Sequence, residues 1–147
     1  LKYSKATNYA LHTMLYFMMA PAGKTIGVQP LAELQEISPT YLSKILTKLV
    51  KAGMIESTPG VNGGYTLLVP KEDVSFLRVI QAIEGNASLL HCDLGHVSAG
   101  CLIQETMAAA EQSMEQYLQE KKLVDLLQNF DQEHPQEHVA RIMAAFH

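Results

Sequence analysis

The chain has 147 residues, 48% hydrophobic and 18% charged, with two cysteines and a net charge of −4. This length supports one domain with an extension, and the balance excludes a disordered chain. No apolar run reaches bilayer length, because residues 11–20 are too few and lack the basic flank and cleavage site of a secretory signal. A cytoplasmic protein with no membrane partner is therefore expected. The acidic total hides an asymmetry: residues 1–70 carry six lysines against three glutamates, and residues 71–147 carry five bases against twelve acids. A nucleic-acid partner responds to the local patch rather than the sum, so only the first half suits one.

Residues 6–20 are almost all apolar or small, with Tyr9, Leu11, Met14, Leu15, Phe17 and Met18, and predict a helix buried on most sides. Pro21-Ala22-Gly23 ends it, and Lys24–Gly27 reads as a linker or strand edge. Val28–Ile37 predicts a helix of about two turns, broken by Ser38-Pro39. Ser38 and Pro39 then cap and open a second helix that Gly53 stops. Its apolar stripe is Leu42, Ile45, Leu46, Leu49 and Val50. Its other face is Thr40, Ser43, Lys44, Thr47, Lys48 and Lys51, with no acid among them. Met54–Ser57 and Tyr65–Val69 are strand-like runs around Pro59, Gly60, Asn62, Gly63 and Gly64, the signature of a β-hairpin.

A polar helix face alone more often means a solvated surface. Two short helices with a tight turn, the second basic, followed by a hairpin, make a winged helix-turn-helix pattern, and DNA binding becomes the leading reading. In this reading Pro39, Thr40, Tyr41, Ser43, Lys44, Thr47 and Lys48 meet the major groove and its phosphates. Asn62, Gly63, Gly64 and Tyr65 reach the minor groove or backbone, where glycines permit close approach.

Beyond the hairpin, Pro70–Asp73 breaks the strand and Val74–Glu84 predicts a helix with Phe76, Ile80 and Ile83 on one face. Gly85-Asn86 ends it, and residues 86–101 form a loop with His91, Cys92, His96 and Cys101. From Leu102 to Phe130 neither proline nor glycine interrupts a helical pattern, and Ile103, Met107, Ala110, Met114 and Tyr117 give a two-heptad seam. That seam packs on the chain's own core or on a second copy. In the tail, 131–147, Pro135 opens a short helix with Val139, Ile142, Met143 and Phe146 on one stripe, packing on the dimer.

The run Tyr3-Ser4-Lys5-Ala6-Thr7-Asn8-Tyr9-Ala10-Leu11 resembles the opening of the Rrf2 family of bacterial transcription regulators. Ile37-Ser38-Pro39-Thr40-Tyr41-Leu42, Leu49-Val50-Lys51-Ala52-Gly53, Gly60-Val61-Asn62-Gly63-Gly64-Tyr65-Thr66-Leu67 and Val79-Ile80-Gln81-Ala82-Ile83-Glu84-Gly85 are also similar. The resemblance covers roughly residues 1–130, and several motifs in order are more specific than any one. It implies a mainly α fold with a small hairpin wing and a homodimer on a palindromic operator, acting as a repressor. The winged helix-turn-helix domain spans 1–85, a sensor loop 86–101, a dimerisation helix 102–130 and a C-terminal extension 131–147.

The resemblance also raises an iron–sulfur cluster, which many members hold with three cysteines in this loop. Cys92 and Cys101 match the first and last, and the middle one is missing. Gln104 stands where some relatives place a histidine ligand, and Asn8 where others place an acid. Cys92, Cys101 and His96 or His91 fall short of four ligands per cluster, so no cofactor is expected, and gating by a cluster on Cys92, His96 and Cys101 stays as an alternative. A thiol switch fits the residues better. Cys101 opens the long helix, where the helix dipole favours a thiolate, and Cys92 is available to pair with it. Two inert cysteines are the plainer alternative, as is control by a protein partner or small effector. An enzyme is not expected, because no Ser/His/Asp set, phosphate loop or complete metal motif is present.

Overall fold

The computed structural model describes residues 3–86, 100–129 and 136–147. Helix α1, Lys5–Met19, lies at the centre of the head and buries Thr7, Ala10 and every residue from Thr13 to Met18. The ammonium of Lys71 donates to the Met18 carbonyl at 2.7 Å, answering one acceptor left open where the helix stops.

Helix α2, Val28–Gln35, is shorter than the pattern predicts. The break comes at Glu36, which adopts the left-handed conformation (φ 56°), ahead of Ser38-Pro39. Glu36 N–H and Ile37 N–H turn back to the Glu33 and Ala32 carbonyls at 3.3 and 3.1 Å. Helix α3, Pro39–Lys51, begins as expected: Ser38 Oγ accepts from Tyr41 N–H at 3.1 Å and Pro39 occupies the first turn. Leu42, Ile45, Leu46 and Leu49 are buried. Each such side chain contributes roughly 1.5–3 kcal/mol by leaving water. Val50, expected on that stripe, is 36% exposed, because the core occupies a narrower arc than the sequence stripe. Gly53 turns the chain at φ 78°.

Strands β1, Ile55–Thr58, and β2, Gly64–Leu67, form the antiparallel wing, with Ile55 opposite Leu67 and Thr58 opposite Gly64. The strand edge expected before α2 is present as a bridge from Ile26 to Tyr65. A 3-10 turn at Lys71–Asp73 leads to α4, Phe76–Glu84, whose Ser75 Oγ accepts from Arg78 N–H at 3.1 Å. Helix α4 packs on α1 and α3 and buries Leu77, Val79, Ile80 and Ile83.

The last long helix departs most from expectation. Helix α5 is Leu102–Glu120 and does not continue to Phe130. Lys121 is extended, Phe76 N–H donates to its carbonyl at 2.9 Å, and Leu123 N–H donates to the Val74 carbonyl at 3.1 Å. Those two bonds and the burial of Leu123 (1% exposed) outweigh continued helix, and a 3-10 turn, Leu123–Leu126, follows. Helix α6, Gln136–Ala145, packs on α1 and α2 of its own head. Ile142 and Phe146 are buried while Met143 is exposed.

Candidate nucleic-acid interface

Thr40, Lys44, Thr47 and Lys51 form one exposed line along α3 at spacings of four, three and four, with Ser43 half-buried beside it. No acid interrupts this line, so it presents two ammonium groups and two hydroxyls to solvent. Thr47 Oγ1 donates to the Ser43 carbonyl at 2.8 Å. With its proton engaged, Thr47 offers a methyl group and a lone pair, chemistry that suits a thymine methyl or a base donor.

Three of the sequence-predicted α3 residues lie off this line. Pro39 is half-buried at the helix start. The Tyr41 ring meets Tyr9 of α1 edge-on, centroids 5.8 Å apart, so it braces the helix on the core. Lys48 is exposed, but its Nζ lies 3.5 Å from the Ile83 carbonyl in the last turn of α4. A cation there complements the negative end of that helix and ties α3 to α4.

In the wing, Asn62 is exposed and Gly63 and Gly64 are half-buried. The glycines are needed by the wing itself, before any ligand is considered. A Cβ on Gly63 would overlap the Thr58 carbonyl oxygen, and one on Gly64 (φ 139°) would sit 2.7 Å from the Ile26 carbonyl oxygen. Tyr65 is half-buried against the core, so its ring is committed inward more than the hairpin pattern suggests.

Lys51 and Val61, outside the sequence-predicted set, extend this candidate surface. Lys51 follows from extending the Thr40–Thr47 spacing by one turn. Val61, 99% exposed at the wing tip, had no signal, since an apolar residue in a turn looks incidental.

Helix α5 has no buried residue along its 19 positions. Leu102, Ile103 and Tyr117 are 76%, 69% and 61% exposed, and Ala108, Ala109 and Ala110 are exposed between them. Met107 and Met114 of the expected seam are half-buried, and the Tyr3 hydroxyl lies 3.8 Å from the Met114 sulfur. Cys101, half-buried, stands at the N-cap of α5 as expected, and its carbonyl accepts from Glu105 N–H at 2.9 Å. Cys92, His91 and His96 lie outside the described residues, and among the described residues no group of three or more His, Cys, Asp or Glu could hold a metal ion. The family's three-cysteine set does not fit a chain with two cysteines in total. Among the described residues no helix is long and apolar enough to cross a membrane.

The Rrf2 family model, described as iron-dependent transcriptional regulators, matches residues 3–129. The HTH-type regulator NsrR of Halalkalibacterium halodurans is 31% identical over 136 residues, spanning 86% of this chain and 90% of that protein. CymR, the global cysteine regulator of Bacillus subtilis, shares the fold with a TM-score of 0.75 at 23% identity, over 89% of this chain and 99% of that one. IscR of T. potens gives a TM-score of 0.73 at 25% identity, over 91% of both chains. A basic recognition helix, a hairpin wing and these likenesses converge: the chain belongs to the Rrf2 family of DNA-binding transcription regulators and is not an enzyme.

Proposed function

We propose that this regulator acts in the cytoplasm as a homodimeric repressor that places α3 of each copy in successive major grooves of a palindromic operator. The observation that carries this is the acid-free line Thr40, Lys44, Thr47, Lys51 on a helix whose opposite side is fully buried. Such a helix offers this line, with Ser43 beside it, to a groove. Lys44 and Lys51 hold phosphates, while Thr40, Ser43 and Thr47 read base edges, and Asn62 and Val61 at the wing tip approach the flanking minor groove. Pairing through α5 is supported by its exposed apolar and small residues, since an unburied 19-residue helix with that surface gains most by meeting a second copy.

The signal we propose is oxidation of Cys101. A peroxide converts its thiol to a sulfenic acid and releases water; the Cys92 thiol then displaces a second water to give a disulfide. The cysteine count supports a thiol over an iron–sulfur cluster. The deciding experiment is fluorescence anisotropy on operator fragments that the protein itself selects, using reduced protein, peroxide-treated protein and Cys101→Ser. Oxidation should shift the wild-type affinity and leave the mutant unmoved. Equal binding in all three would discard the thiol switch, leaving a cluster, a small effector or a partner protein as the input. No retained DNA at all would discard the operator reading.

A further inference from the structure

The tail lies beyond the family-matched region, yet it is built into the wing. Thr25 and Ile26 lie between the tail and the wing, Ile26 as an isolated bridge partner of Tyr65. Ile26 exchanges both backbone hydrogen bonds with Tyr65 of β2, at 3.1 and 2.8 Å, and Thr25 exchanges both with His147, at 2.8 Å each. Successive residues of an extended strand present their N–H and C=O groups to opposite sides. Residues 25 and 26 therefore connect the tail on one side to β2 on the other by backbone hydrogen bonds, at the edge of the two-stranded sheet β1–β2.

The tail is anchored as well as paired. Ile142 is fully buried, and the Phe146 ring meets Phe17 of α1 edge-on with centroids 6.0 Å apart. Thr25 Oγ1 lies 3.3 Å from the His147 and Gly63 carbonyl oxygens and 3.4 Å from that of Asn62. Its one proton serves one of these acceptors at a time, so the hydroxyl sits where tail and wing tip converge. A two-stranded hairpin is marginal alone, and the angle of a wing is set by what holds its base.

We infer that residues 136–147 are a positioning element for the wing: through Thr25 and Ile26 they fix the tip at Asn62–Gly63 relative to α3. This rests on the proposal that the wing touches DNA. His147→Pro removes the N–H that donates to Thr25 and keeps both anchors, whereas Phe146→Ala removes an anchor. Each variant is tested on the self-selected operator by anisotropy, by hydroxyl-radical footprinting, and by dimethyl sulfate protection at guanine N7 in the major groove, with Tm recorded alongside.

Loss of one hydrogen bond should weaken binding about threefold to tenfold in His147→Pro. The footprint should fade at the flanking minor groove, with the N7 pattern and Tm nearly unchanged. Asn62→Asp, which puts a negative charge on the wing tip, separates the two readings. If Asn62→Asp binds normally, the wing does not touch DNA and the underlying reading fails. If Asn62→Asp weakens binding but both tail variants keep the flanking footprint, positioning by the tail is overturned. A footprint that fades evenly, with a lower Tm, also overturns it and leaves the tail as plain support.

Discussion

Lys44, Lys48 and Lys51 lie on one helix, yet their surroundings predict unequal effects on DNA binding. Lys44 and Lys51 stand on the exposed line, whereas Lys48 reaches to within 3.5 Å of the Ile83 carbonyl. Each phosphate contact adds about 0.9 to the slope of log affinity against log salt. In the proposed dimer, alanine at position 44 removes one contact from each half, so the slope should flatten by about 1.8. Between 50 and 200 mM salt the wild-type protein should then lose about twelvefold more affinity than Lys44→Ala does. Lys51→Ala should behave alike. Lys48→Ala should flatten the slope by less, and lower Tm slightly because a cation leaves the end of α4. Anisotropy titrations at four salt concentrations measure all three. A Lys48→Ala slope change equal to or larger than that of Lys44→Ala would refute the geometric ranking, and three unchanged slopes would refute α3 as the DNA face.

Three further outcomes are expected. Ile103→Lys should raise the dimer dissociation constant by roughly 30- to 1000-fold in sedimentation equilibrium, from about 2–4 kcal/mol of lost burial and added charge across two copies, with no cost to the head. Gly64→Ala should destabilise by about 1–3 kcal/mol in denaturant unfolding, because its Cβ meets the Ile26 carbonyl at a strained φ; an unchanged midpoint would show that the wing base yields freely. Burial raises the Tyr16 pKa, with Arg141 pulling partly the other way, so its contribution to stability is complete below pH 10 and declines as pH climbs toward the folded value. Tyr16→Phe should reduce that alkaline decline; the remainder includes Tyr3, raised by burial and then by Glu115, Glu84 and Glu111.

Local chemistry made the recognition helix legible. Ser38-Pro39 caps it, Gly53 ends it and Leu42, Ile45, Leu46 and Leu49 bury one side, all read from neighbours within four positions. What was not legible depends on partners far along the chain. Glu36 takes a conformation that glycine usually supplies, and no local signal marks it. Helix α5 stops without glycine or proline because the backbone at Val74 and Phe76 claims Lys121 and Leu123. Tyr41, Lys48 and Tyr65 matched a DNA-facing pattern by type and spacing, and α1, α4 and the core then drew them partly inward. The tail's stripe was readable, but its seat against Phe17 and Thr25 lies over a hundred positions away.

The clamp at Lys121 gives α5 a fulcrum. Its C-terminal end is pinned to the start of α4, and Tyr3 is influenced by Glu84 at the far end of α4 together with Glu111 and Glu115, so the two helices run antiparallel side by side for about half of α5. The first turns of α5, from Cys101 to about Ala110, project past α4, about 28 Å from the fulcrum to the tip at 1.5 Å per residue. A helix packed along its C-terminal half pivots about that half rather than slides. A displacement of about 1 Å at the Cys101 end is a rotation of about 4° over the roughly 14 Å from Cys101 to Ala110. In the proposed dimer, oxidation at the tip would be read as a change in the tilt between two heads, and an operator would sense it as phase along the duplex before it sensed any change in either recognition surface.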